Sequence, residues 1–313
     1  MAERDVAAGH AAQGVSWGTR AAVIAAIATL IASIGALYFN AQTSRQATEQ
    51  SRQAQEQARQ AQVALTSERF SRSVEQLGGD DLSARMGGVY SFERLIRDSP
   101  PDEDAIVDIL TGFVRLHTQE LAEDIRGDRL FIHDVPGDIA AALHVLAGQP
   151  VDLSAVDLRR LDLTGYDMHG WDLSDAQFTD SYLNDADLHG ADLGEARMKA
   201  VQASGVDLHD ADLSHAALDR AVLSGANLSD ADLEDVTGIK SVMSDADLTG
   251  ANLHSANLQY VVLTRADLSG VDARGLNLLN ARLQDIELTK LTCSASTKLF
   301  PPLDKAEHCE DES

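Results

Sequence analysis

Apolar and polar residues follow four different rhythms along this chain. From Ala21 to Phe39 the run AAVIAAIATLIASIGALYF carries no charge over 19 positions, about the length a helix needs to cross a ~30 Å hydrocarbon layer. From Arg45 a seven-residue unit is written three times, RQATEQS RQAQEQA RQAQVAL. Ala47, Ala54 and Ala61 share one heptad position, and Ser51, Ala58 and Leu65 follow four residues later, which predicts a helical stalk with a coiled-coil seam of small residues. Over residues 68–147 the apolar positions predict short amphipathic helices. SERFSRSVEQL ends at Gly78-Gly79, SARMGGVYSFERLIRD offers Met86, Val89, Tyr90, Phe92, Leu95 and Ile96, and PPDEDAIVDILTGFVRLH runs from Pro and acids to Arg115 and His117. VPGDIAAALHVLAG closes at Gly148, and the acid-first, base-last order suits the helix dipole.

The fourth rhythm has a period of five, which matches neither a helix nor a simple strand. Counting every fifth residue from Leu153 to Leu288, all positions are Leu, Met or Phe except Ala203, Gly238 and Ala273. Two residues before each stands a small or apolar residue, usually Ala or Val, so each unit places two residues on one face, as a very short strand does. Each unit then has to turn, and the Ser, Thr, Gly and Asp after the central residue suit turns. The result is a solenoid whose units bury their apolar residues only by stacking.

These A(D/N)LxG units, from Val151 to Lys290, closely resemble the pentapeptide-repeat proteins. The resemblance implies a mainly β fold: a right-handed quadrilateral β-helix with four units, twenty residues, per coil. On that reading there are about seven coils and a rod roughly 34 Å long at ~4.8 Å per rung. The stretch from Ser67 to Asp98 also looks like a helical module that often precedes such repeats in membrane-tethered members. The expected organisation is an N-terminal tail (1–19), a transmembrane helix (20–40), a stalk (41–67), an α-helical module (68–150), the β-helix (151–290), and a C-terminal cap with an acidic tail (291–313).

With twenty residues per coil, positions twenty apart stack in columns. The outward column of the first face reads Asp152, Asp172, Asp192, Asp212, Asp232, Asn252 and Asp272. That of the adjoining fourth face reads Asp167, Asp187, Asp207, Asn227, Asp247, Asp267 and Glu287. One edge of the rod is therefore acidic, while Arg159, Arg160, Arg197, Lys199, Arg220 and Lys240 gather on the second face. The third face replaces acids with Tyr182, Gln202, Val222, Val242 and Val262 before ending at Arg282. A contiguous outward apolar column marks a contact surface, unless the middle helices or the tail fold over it. His169, His189 and His209 recur beside Asp167, Asp187 and Asp207, and His with Asp can ligate metals. Stacked side chains point in parallel and do not converge, so the expectation is a solvated polar ladder, with no metal and no cofactor.

Composition narrows the function. The formal charge of -25 argues against direct nucleic-acid binding, which needs clustered Lys and Arg. Cys293 and Cys309 give neither a disulfide framework nor a C-x2-C metal spacing. The one catalytic match, GVSWG at 14–18, precedes the span with no strand or helix around it, so chance explains it. The span is read as retained, because its polar lead is long and no A-x-A site follows. Arg45, Arg52 and Arg59 after it, against Arg4 and Arg20 before it, lean toward a single-pass protein of the cell membrane with its C-terminal bulk in the cytoplasm. Ala28, Ala32 and Ala36 in the span, with the stalk, suggest a weak homodimer. The expectation is a non-catalytic, membrane-tethered interaction scaffold with an unidentified protein partner. The alternative is a DNA mimic that inhibits or protects a DNA-binding enzyme such as DNA gyrase, as some members of the quinolone-resistance group of this family do.

Overall fold

A computed structural model of the chain describes residues 17–124, 133–298 and 309–310. The tail before residue 17, with Arg4 and most of GVSWG, lies outside the described residues, as do the side chain of Trp17 and the acidic end beyond Glu310. The chain divides into two compact units, Met1–Leu65 and Thr66–Ser313.

The first unit is helical from Trp17 onward, and its helix, α1 (Trp17–Leu77), continues into the second unit. Its apolar stretch is fully exposed. Two polar side chains inside that stretch, Thr29 and Ser33, donate back to the carbonyls of Ala25 and Thr29 at 2.8 Å, so neither leaves a hydroxyl unpaired in an apolar setting.

In the second unit α1 ends where Gly78 stops it, and α2 (Leu82–Asp98), α3 (Glu103–Asp124) and α4 (Gly137–Leu146) follow. Asp81 caps α2 by accepting the Ala84 N–H at 3.0 Å, as N-cap acids do. Phe92, Ile106, Leu110 and Leu143 are buried where the helices meet. At Gly88 an added Cβ would lie 2.8 Å from Leu77 N and Ser73 O, so α2 and the end of α1 touch backbone to backbone. Arg85 donates to Asp138 at 2.6 Å and to the carbonyls of Gly79 and Asp80, tying α2, α4 and the first loop together around an almost fully buried carboxylate. α3 extends past Arg115 and His117, the C-terminal pair expected from the sequence. Arg115 instead reaches out of the helix to the Asp152 carbonyl (2.8 Å) and carboxylate (3.2 Å) on the first coil.

From residue 152 every fifth residue bridges, in parallel, to the residue twenty positions on, from Asp152↔Asp172 to Asp272↔Thr292, and the last bridge, Asn277↔Lys298, spans one residue more. The Leu153 N–H donates to Asp172 O (2.8 Å), the Asp172 N–H donates to Val151 O (2.8 Å), and the Val156 N–H closes the corner onto Leu153 O (3.1 Å). The central Leu series and its Ala and Val companions are essentially unexposed as far as Leu278 and half-buried in the last units, each large buried side chain contributing about 1.5–3 kcal/mol. Two departures from the repeat explain themselves. Buried Ser181 and Ser241 donate their hydroxyls to the carbonyls of Phe178 and Gly238. Gly238, where Leu is the rule, leaves room that Leu258 fills, since a Cβ there would meet Leu258 Cδ2 at 2.7 Å.

Both ends of the coil stack are paired. β1 (His133–Asp134) lies parallel to β2 (Leu161–Asp162), adding a rung below the third face. β3 (Leu291–Thr292) continues the first-face column from Asp272, and β4 (Cys309–Glu310) pairs with it in parallel. A Cys293–Cys309 disulfide, Cα–Cα 5.5 Å, fastens this last strand. That corrects the expectation of no disulfide: the two cysteines are 16 residues apart, and only the pairing of β4 with β3 makes them neighbours.

Candidate functional site

The four corners of each coil set the chemistry of its faces. The second turn residue of the units lies in the left-handed region, as at Gly165 (φ 71°) and Asp175 (φ 58°), which Gly, Asp and Asn adopt most readily. The residue just before each central Leu supplies the turn's side-chain bond. Asp152, Asp167, Asp172, Asp187 and Asp192 each accept, through Oδ1, the backbone N–H two residues on, at 2.9–3.3 Å. Asp207, Asp212, Asp232, Asp247 and Asp267 do the same at 2.8–3.1 Å. This is the Asx-turn, so every Asp of the two predicted columns first holds a corner together. Where the outward residue is Gln202 or Thr237, the previous coil substitutes: Asn184 accepts the Ser204 N–H and Asp219 accepts the Ile239 N–H.

The acidic columns are nonetheless exposed or half-exposed along their length. Hydrogen bonds from Ser154 hold Asp152 below the usual carboxylate range, with Arg115 adding to them. Asn227 and Asn252 interrupt the run of charges, their amides donating to Asp207 and Asp232 at 2.9 Å. The second face is less basic than its sequence, for Arg159 is spent on Asp157 at 2.8 Å.

On the third face Tyr182 is 36% exposed, and Val222, Val242 and Val262 stack directly, all half-buried. Among the described residues neither the helical module nor the tail covers these valines: β1 pairs only at Leu161–Asp162, and β4 pairs on the first-face column. The turns leading from the second face into this one carry Ile239, Leu279 and Tyr260, the last 48% exposed, in the same columns as Lys199, Arg220 and Lys240, so this corner is apolar and basic together. Reading the sequence by outward columns alone missed these three, although their places in the two-residue turn before the third-face units identify them.

The histidine column splits. His169 and His189 stack with ring centroids 4.8 Å apart and planes 2° apart, each Nδ1 bonded to its own Asp, at 2.5 Å to Asp167 and 2.7 Å to Asp187. The bond to Asp167 raises the pKa of His169. Burial pushes Asp167 up, but its bonds to His169 outweigh that and leave it lowered. His209 breaks away, its Nδ1 on the Ser229 carbonyl (2.9 Å) and hydroxyl (3.0 Å) and its Nε2 on Asp210 (3.1 Å).

With this geometry in place, similarity to known proteins can be stated. The family profile described as "Pentapeptide repeats" matches in eight copies, in overlapping ranges from residue 152 to 285. HetL of the cyanobacterium Nostoc sp. strain PCC 7120, a pentapeptide-repeat protein involved in heterocyst differentiation regulation, is 30% identical over 47% of this chain and 67% of its own (TM-score 0.27). A second pentapeptide-repeat protein of Nostoc, alr5209, is 27% identical over 32% of this chain and 84% of its own (TM-score 0.31). QnrB1, a plasmid-mediated fluoroquinolone resistance protein, is 20% identical over 44% of this chain and 80% of its own (TM-score 0.29). No curated protein is similar enough to match the chain.

Proposed function

Because the chain belongs to the pentapeptide-repeat family through residues 152–285, we propose that it is a non-catalytic scaffold: a right-handed, four-sided rod, tethered to a membrane through α1, that holds a protein partner on its third face. The observation that carries this reading is the stack Val222, Val242 and Val262, set between Tyr182 and the turn residues Ile239, Tyr260 and Leu279. On the first and fourth faces the same outward position holds Asp or Asn as far as Asp272 and Asp267, which secures the corner. Giving up that bond on three consecutive coils for valine fits a surface that is covered in use. The apolar run in α1, exposed throughout, supports the tether. The small-residue seam of the stalk supports weak pairing of two copies.

The test is photo-crosslinking in native membranes from residue 202, in the same column but outside the substituted valines, with mass spectrometry of the adduct. A discrete adduct that disappears in Val222→Asp/Val242→Asp/Val262→Asp, while circular dichroism of the rod is unchanged, supports the reading. An unaltered adduct pattern in that variant would falsify it.

The second reading, a mimic of duplex DNA acting on an enzyme such as gyrase, draws support from the two acidic columns. It requires the rod to lie in the cytoplasm, where the arginine bias after the span would put it. The Cys293–Cys309 disulfide argues the other way, because cytosolic reductants keep such pairs as thiols. A covalent pair outweighs a bias of a few arginines, so we place the rod on the oxidising side of the membrane. Inhibition of gyrase supercoiling by the purified protein at stoichiometric amounts would favour the mimic instead.

A further inference from the structure

The stacked pair on the fourth face has the geometry of a ligand set. We propose that His169 and His189 together bind a borderline divalent metal ion, of the Zn2+, Ni2+ or Cu2+ class, on the flank of the first two coils.

The tautomer comes first. An ionised carboxylate only accepts hydrogen bonds, so the contacts from Asp167 at 2.5 Å and Asp187 at 2.7 Å place the ring proton of each histidine on Nδ1. In the neutral rings each Nε2 is then a free lone pair. A carboxylate bonded to one imidazole nitrogen while the other faces the metal is the usual support of a metal-binding histidine, since it fixes the ring and raises its basicity. Here the support occurs twice, in the same sense, on adjacent rungs.

Spacing comes second. The two rings are parallel within 2° and 4.8 Å apart between centroids. Two imidazoles on one tetrahedral ion with bonds of about 2.0–2.1 Å hold their nitrogens roughly 3.4 Å apart. Tilting both rings toward each other closes that gap, and both have room, being 36% and 48% exposed. The carboxylates of Asp167 and Asp187 are engaged on the Nδ1 side of the rings, so the remaining coordination positions fall to water. A crevice of about 290 Å³ lined by His144, Tyr166 and Asp167 opens beside them, between α4 and the first coil, with space for water ligands. Two imidazoles among the donors select the borderline ions over Mg2+ and Ca2+, which prefer all-oxygen sets.

His209 is the internal contrast. It occupies the same column position one coil on, yet both its nitrogens are engaged by Ser229 and Asp210. The nearby group His209, Asp210 and Asp230 holds a single imidazole.

The experiment uses the full chain in detergent, without an oligohistidine tag and stripped with chelator. ZnCl2 is titrated by calorimetry, and CuCl2 is followed by electron paramagnetic resonance. The expected result is one saturable site per chain, with superhyperfine coupling to two imidazole nitrogens. His169→Ala/His189→Ala should weaken binding at least about tenfold, and Asp167→Asn/Asp187→Asn, which keeps both rings, by about 10–100-fold. His209→Ala should leave the affinity within about twofold. Circular dichroism checks each fold, and the Asn pair decides should the Ala pair misfold. Absence of saturable binding, or equal affinity in the histidine and Asn variants and the intact protein, overturns the proposal.

Discussion

At the scale of single residues, one side-chain bond repeated along the rod accounts for much of the composition. Each outward Asp accepts a backbone N–H two residues on, and most outward Asn do the same, so acid content here is first a matter of turn chemistry and only second of surface charge. Stacking those acids one rung apart brings like charges together, and the two asparagines relieve it. Asn227→Asp removes the amide bond to Asp207 and sets carboxylates on successive rungs. It should destabilise the rod by roughly 0.2–1 kcal/mol, the range for like charges opposed across strands. Denaturant melts at low and high salt would show this, with the deficit shrinking at high salt. The His169–Asp167 pair makes a pH prediction. The raised His169 pKa means that its contribution to stability is complete below its ordinary value of 6.5 and fades as pH rises through the higher folded value. Asp167 is lowered from 3.8, so its contribution holds above that value and is lost as pH falls through the folded one. The pair therefore contributes most between these limits. The ring-proton NMR signal of His169 should titrate above 6.5 and move down in Asp167→Asn; a midpoint at or below 6.5 would remove the idea.

At the scale of elements, the helical module depends on close approach more than on propensity. Gly88 sits in the interior of α2, where glycine costs about 0.5–1 kcal/mol relative to alanine. The position keeps it because a Cβ would run into the backbone at Ser73 and Leu77. Gly88→Ala should therefore destabilise, by about 1–3 kcal/mol as overpacking does, whereas propensity alone predicts a gain. Thermal unfolding of the two proteins gives the sign directly. The ends of the rod follow related logic. A parallel rung leaves open backbone groups that invite further pairing. β1 meets this need below the third-face column, and β3 with β4 above the first-face column.

At the scale of the whole molecule, the disulfide and the arginines after the span make opposite statements about which side of the membrane holds the rod. Trapping thiols by alkylation in rapidly quenched cells separates them. With the rod on the oxidising side, Cys293 and Cys309 should resist alkylation until a reductant is added. Labelling without reductant would place the rod in the cytoplasm and reopen the reading as a DNA mimic. The charge distribution bears on the same question, since a net charge of -25 keeps copies apart unless an apolar strip such as the third face is covered.

The sequence by itself determined the helix from the apolar run through the heptads to Gly78, the five-residue register and the interior Leu series, while the columns twenty apart and the valine strip followed from the coil that the resemblance to pentapeptide-repeat proteins implies. All of these are periodic, and a period is a local property that survives without knowledge of distant neighbours. The tertiary structure decided the rest. It turned the acidic columns into corner bonds and moved Arg115 from a helix end to a brace on Asp152. It widened the apolar face with Ile239, Tyr260 and Leu279, and divided three equivalent histidines into a stacked pair and a separate third. It also joined two cysteines that spacing alone left unpaired. Each of these depends on which residues meet across a coil or an end, and that is fixed by closure of the chain in space rather than by any repeat along it.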